Sequence, residues 1–174
     1  MSYNLFLIRH SKTEHPGLRP DFEREITHIG VEKAEELGSK LAGIISDGSN
    51  NIDPIDYFLC SDAIRATKTA EIIATKLDYN LDEIIDTHLL YEGESNEIIE
   101  AINSLSSNKT VVIVGHEPII SRLASFFANP ETSKEIAYNM VRIGMSAPSV
   151  SWLQSEDLPI SQWEKDSVKL VDLL

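Results

Sequence analysis

The 174 residues carry 28 acidic against 15 basic side chains, a net charge of −13, and a surface with that excess repels nucleic acid and anionic membrane. At 42 % hydrophobic and 25 % charged residues the chain reads as one globular domain, 1–174, able to bury roughly 70 % of the surface its unfolded form exposes. No apolar run approaches the ~20 residues of a membrane span, residues 1–15 lack a signal-peptide pattern, and the single cysteine, Cys60, can form no internal disulfide, so a cytoplasmic setting is expected.

Tyr3–Arg9 is predicted as a buried strand, its apolar run Leu5 to Ile8 ending in the cationic pair Arg9-His10. A polar connection leads to "GVEKAEELGSKLAGII", with Val31, Ala34, Leu37, Leu41 and Ile44 on one helical face. The Gly/Ser/Asn-rich "SDGSNNIDP" is a surface loop, too short to link domains. Ile55–Cys60 is a second buried strand, followed by the helix "DAIRATKTAEIIATKL", with Ala66, Ala70, Ile73 and Leu77 along one side and Ser61 or Asp62 placed to cap it. A short strand precedes "HLLYEGES", and a helix covers Asn96–Leu105 through Ile98, Ile99 and Ile102.

Thr110–Gly115 is the third buried strand, leading into "EPIISRLASFF", with Pro118 near the first helical turn where its missing N–H costs nothing. Two late segments, "SAPSVSWLQ" and "SVKLVDLL", are expected to add strands at the sheet edge. Strands alternating with helices predict a three-layer α/β/α sandwich with a mostly parallel central sheet.

Ligands of open α/β sheets bind beyond the carboxyl ends of the strands. Here the first strand ends in Arg9-His10, the second in "CSDAIR", which puts Arg65 near the first turn of a helix, and the third in Gly115-His116. Taken singly, Arg9-His10 is a solvated turn, His116 a helix-capping histidine and Arg65 a surface partner of Asp62. Taken together, two arginines and two histidines converge on one edge where helix N-termini also favour an anion.

Forked arginines hold the oxygens of a phosphoryl group, a neutral imidazole can attack phosphorus, and a second histidine, protonated beside the dianion, stabilises the transition state. A leaving group also needs a proton, and Glu92 is the carboxylate chosen for that role. A metal site is set aside: there is no His-Glu-x-x-His and no cysteine pair, and arginines beside both histidines repel a cation. A cysteine-phosphatase loop needs five residues between cysteine and arginine and glycines among them; "CSDAIR" has four and none. Neither a Gly-x-Ser-x-Gly elbow nor a Walker loop occurs.

"LFLIRHSKTE", "FLCSDAIRATKTAEII" and "VVIVGHEP" resemble, in order, the three signature blocks of the histidine phosphatase superfamily, the phosphoglycerate mutase-like family, and the resemblance covers most of residues 3–127. It implies a phosphoglycerate mutase-like fold, His10 as the phosphorylated nucleophile, and Arg9, Arg65 and His116 as the phosphate pocket, with no cofactor and no metal. Within the family, "DFEREITHIG" looks most like SixA-type phosphohistidine phosphatases. Arg24, Ile26, Thr27 and Gly30 match an element of theirs, and Glu25 replaces its proline. Thr27 would then cap the helix starting near Gly30, and Arg24 would face the substrate mouth.

Ser11 stands where glycine or alanine commonly follows the nucleophile, and it is counted with the substrate-binding residues. Leu90-Tyr91-Glu92 fits the Leu-x-Glu acid element of larger members, which pulls towards a broader phosphomonoesterase. The expected function is a phosphatase acting through phospho-His10. Its partner is a phosphorylated protein, such as a histidine-containing phosphotransfer domain, or, as the alternative, a small phosphomonoester. A non-catalytic phosphate-binding module is the rival from another class, and a mutase is disfavoured because little chain remains for a lid.

Overall fold

The computed structural model describes residues 2–105 and 109–174. Strand β1 (Tyr3–Arg9) is buried along its middle because both faces are covered. Leu5 and Leu7 join a core with residues from one set of helices, while Phe6 and Ile8 join a second core on the opposite face. β2 (Tyr57–Ser61) and β4 (Thr110–Gly115) divide their side chains in the same way.

Six strands form one sheet, in the order β3-β2-β4-β1-β5-β6, with β3 at Ile85–Thr87, β5 at Ser149–Ser155 and β6 at Lys169–Leu173. The first four run parallel, and β5 and β6 add antiparallel at the edge, as the two late segments predict. Helices α1 (His28–Ser46) and α2 (Ile64–Lys76) cover the Phe6 face through Leu37, Leu41, Ala66, Ala70 and Ile73. Helices α4 (Ser95–Ser104), α5 (Ile119–Phe127) and α6 (Glu135–Ile143) cover the other, and the four-residue α3 (Leu89–Glu92) adds Leu90. The molecule is therefore the expected three-layer α/β/α sandwich. Among the described residues no helix is long and apolar enough to cross a membrane.

Several boundaries differ from the expectation. β2 starts at Tyr57 rather than Ile55 and runs on through Ser61. Neither Ser61 nor Asp62 is the residue that caps α2: Ala63 holds that position, and the Ser61 hydroxyl is turned towards His116. α6 has no counterpart in the sequence reading because only Ala137 and Val141 of its nine residues are buried, too short a stripe to register as periodicity.

Thr27 does cap α1, its Oγ1 accepting the Gly30 N–H at 3.0 Å. Its own N–H donates to the Lys12 carbonyl at 3.0 Å, tying the helix start to the loop that follows His10. Gly30 lies so close to this loop that a Cβ there would sit 2.2 Å from Lys12 O. Gly30→Ala should therefore push the loop outward, and we expect a stability loss of about 1–3 kcal/mol, read from urea midpoints. An unchanged midpoint would mean that the loop yields freely.

Candidate active site

The register of the sheet puts the two histidines side by side. β1 and β4 pair with Arg9 opposite Gly115, and the ladder continues one step as the His10 N–H donates to the Gly115 carbonyl at 2.9 Å. The next side chains, His10 and His116, have ring centroids 5.1 Å apart and both are buried. Arg65 reaches the same place from the first turn of α2, buried as well. Arg9 enters from the end of β1, its Nη1 donating to the Met145 carbonyl.

A backbone carbonyl selects the tautomer of His10. His10 Nδ1 lies 2.7 Å from the Ser11 carbonyl, an acceptor only, so Nδ1 carries the proton and Nε2 keeps its lone pair. Ser61 Oγ accepts the Ala63 N–H and lies 2.7 Å from His116 Nε2, where a hydroxyl can either donate or accept; with Ser61 as the donor, the proton of a neutral His116 sits on Nδ1. That Nδ1 is one of four buried polar side-chain atoms without a partner among the described residues, and two of the others are Arg9 Nε and Arg65 Nε. Two orphaned guanidinium donors and an unpartnered ring nitrogen in one site cost free energy unless a ligand meets them. An oxyanion is the acceptor that suits two guanidinium N–H groups at once.

Both imidazoles are neutral at pH 7. His10 is pushed down from 6.5 to about 4, by burial first and then by the charges of Arg65 and Arg9, against the opposing pull of the Ser11 carbonyl. His116 falls to about 3, by burial first and then by the positive charge of His10 and Arg65. The expected charge on His116 is thus absent while the pocket's own guanidiniums are its neighbours; a dianion would have to supply the opposing field.

The unfolded chain takes up these protons near 6.5 and the folded chain does not, so the unfolded state binds more protons below that pH. Stability is full above about 6.5 and is lost as pH falls towards 4 and 3, at roughly 1.4 kcal/mol per pH unit for each histidine. Urea midpoints at pH 7.5 and 5 should show the fall, and His116→Asn should show less of it. Equal falls in both proteins would remove His116 from the explanation.

The other predicted residues are placed differently. Ser11 is fully buried, its Oγ donating to Gly30 O at 2.6 Å and its N–H to Thr69 Oγ1 at 3.0 Å, so its hydrogen is engaged by the scaffold rather than presented to a ligand. Arg24 lies beside the site, its Nε donating to Asp21 Oδ1 at 3.1 Å and its Nη1 reaching Thr13 Oγ1 and Glu14 O at 3.3 Å. Glu92, at the end of α3, has a side chain 70 % exposed and meets His88 Nε2 at 3.4 Å, with no hydrogen bond or ion pair to Arg9, His10, Arg65 or His116. Arg65 pairs with Asp21 and not with Asp62.

Sequence reasoning passed over Asp21, Tyr91, Ser61 and His88. Asp21, in a short 3-10 turn at Asp21–Glu23, accepts from Arg65 Nη2 at 2.9 Å and Tyr91 Oη at 3.0 Å. Partial burial works against it, but the Tyr91 and Arg65 hydrogen bonds hold its carboxyl below the usual range. Phe22, Tyr91 and His88 form an aromatic wall, with the Tyr91 ring 5.6 Å from His116, edge-on, and 5.1 Å from Phe22. His88 also bonds Asp62 at 2.9 Å, which raises its pKa. No spacing rule singles out one acid among 28. The signal for Ser61 was its place at a strand end, where it was read only as a cap.

Among the described residues no three His, Cys, Asp or Glu side chains gather as a metal-binding group. Cys60 is a buried strand residue, and burial first, then nearby Asp86, pushes its thiol up to about 12, far from the thiolate a nucleophile needs.

A family model described as histidine phosphatase superfamily (branch 1) matches residues 5–93. The uncharacterised protein Rv1276c of Mycobacterium tuberculosis is 30 % identical over 123 residues, 70 % of each chain. Among solved structures, a SixA protein from Nakamurella multipartitia superposes with a TM-score of 0.75 at 22 % identity, covering 100 % of this chain and 96 % of its own. A protein histidine phosphatase SixA complexed with tungstate does so with a TM-score of 0.64 at 17 % identity, over 86 % of each chain. With its three motif blocks at adjoining strand ends and this match across half its length, the chain belongs to the histidine phosphatase superfamily.

Proposed function

We propose that the protein is a phosphatase that works through a phosphohistidine at His10, with phosphohistidine on a protein as its substrate. The observation that carries this reading is the trio of unpartnered buried nitrogens, Arg9 Nε, Arg65 Nε and His116 Nδ1, the first two of them donors, grouped with a neutral imidazole whose Nε2 is free. Phosphoryl oxygens would satisfy the donors and place phosphorus within reach of that lone pair. As the Nε2–P bond forms, the bond from phosphorus to the leaving group breaks. Water then cleaves the phosphoramidate, releasing inorganic phosphate and restoring the imidazole.

Phosphohistidine as the substrate is supported by the wall of Phe22, Tyr91 and His88, an aromatic surface of the kind that suits a departing imidazole ring. The likeness to SixA structures points the same way. A reducing, cytoplasmic compartment fits a protein whose one cysteine is a buried thiol. A small phosphomonoester is the second reading, favoured by one observation: Glu92 ends α3 next to Tyr91 of that wall, where its carboxyl group could protonate an alkoxide.

A panel decides between them. A phosphorylated histidine-containing phosphotransfer domain should be dephosphorylated with a higher kcat/KM than any sugar or nucleotide phosphate, and a reversed order overturns the substrate assignment. In the same panel Glu92→Gln should slow alkyl phosphates by about 10²-fold and phosphohistidine far less. Equal losses, or none, would remove Glu92 as the acid.

A further inference from the structure

We propose that Asp21 determines specificity by charge: its carboxylate, bound to Arg65, Arg24 and Tyr91 beside the phosphate pocket, admits a phosphoryl group on a neutral or cationic leaving group and rejects substrates with a second anionic group near the scissile bond. The inference rests on the reading of this site as a phosphatase pocket and narrows its substrate class.

The argument begins with Arg65. Its two terminal nitrogens each spend one N–H on Asp21, Nη1 on the backbone carbonyl and Nη2 on Oδ2 at 2.9 Å, while its buried Nε has no partner among the described residues. Arg24 Nε takes the other carboxylate oxygen at 3.1 Å, and the Tyr91 hydroxyl donates to Oδ2 at 3.0 Å. The carboxylate therefore faces outward on Arg65, held by three donors from three parts of the chain, yet its side chain is still 56 % exposed. Tyr91, which it fixes, stands edge-on to His116 at 5.6 Å, so the carboxylate borders the space through which a leaving group departs.

The charges then balance for one phosphoryl group. Arg9, Arg65 and Arg24 are cationic, His10 and His116 are neutral, and Asp21 is an anion, leaving two positive charges for one dianion. Beyond them the rim offers Asp62 and Glu92, linked by His88, so a further anionic group on the substrate meets a carboxylate. Unlike the metabolites that carry a carboxylate or second phosphate beside the ester, an imidazole leaving group suffers no such repulsion. At separations of several ångströms near a surface, one such repulsion is worth about tenfold in affinity, and salt weakens it.

The test uses a matched pair, glycerol 1-phosphate and 3-phosphoglycerate, which differ by a hydroxymethyl group against a carboxylate. In the full-length protein the ratio of kcat/KM for phosphoglycerate to that for glycerol phosphate should rise about tenfold in Asp21→Asn, carried by KM. Asp21→Glu should keep the wild-type ratio. Raising ionic strength from about 50 mM to about 0.5 M should move the wild type towards the Asn variant. The same ratio is read as Kd in the His10→Ala background, so a failed nucleophile assignment leaves the measurement intact. A ratio that stays constant in Asp21→Asn while both substrates weaken together would reduce Asp21 to a scaffold for Arg65 and overturn the proposal.

Discussion

His10→Ala is expected to lower kcat for an aryl phosphate by at least about 10³-fold, with a smaller change in KM. Loss of a nucleophile that forms a covalent intermediate abolishes a route, whereas loss of a binding contact only weakens one. The geometry makes the expectation sharp, because the Ser11 carbonyl holds the Nδ1 proton of His10 and so commits Nε2 to attack. With substrate labelled at phosphorus, an alkaline quench, which spares phosphohistidine, should retain label on the wild type and none on the variant. Label retained on His10→Ala, or equal rates for the two proteins, would show that another group carries the phosphoryl.

Arg65→Lys is expected to cost about 10²–10³-fold in kcat/KM, nearly as much as Arg65→Ala. Lysine keeps the charge but loses the buried Nε and the fork, and a single preorganised donor at a developing charge is worth about that much. Lysine would also have to choose between the pocket and Asp21, which Arg65 now serves with separate nitrogens. The inhibition constant of inorganic phosphate should weaken in parallel. A lysine variant close to wild type would mean that net charge suffices and that the orphaned Nε is incidental.

The three buried strands could be read from the sequence because their faces are both covered and their residues are therefore almost all apolar. Arg9, His10 and His116 followed, since a charge or imidazole at the end of such a run has nowhere to go but the strand tip. The difficulties lay in residues whose partners are distant. Arg65 was weighed against Asp62, three residues away, while its partner is Asp21, 44 residues earlier. Ser11 was placed in the binding site by its position next to His10, but the loop turns its hydroxyl inward to Gly30 O. α6 escaped because a helix lying on the surface buries only two of its side chains.

By itself the sequence determined which strand tips carry cationic and imidazole side chains, because hydrophobic periodicity is local and a strand's end is visible in a few residues. It also determined the layered fold, which depends on neighbours in the chain, while Thr27 as a helix cap followed from the resemblance of its segment to a known element. Only the tertiary structure decided the register of Arg9 with Gly115, which brings His10 against His116, and the Ser11 carbonyl contact that leaves a lone pair on His10 Nε2. It alone decided that Asp21, one acid among 28, occupies the outer face of Arg65. Hydrogen-bond partners and burial arise between segments far apart in the chain, and no local pattern of residues encodes which of them will meet.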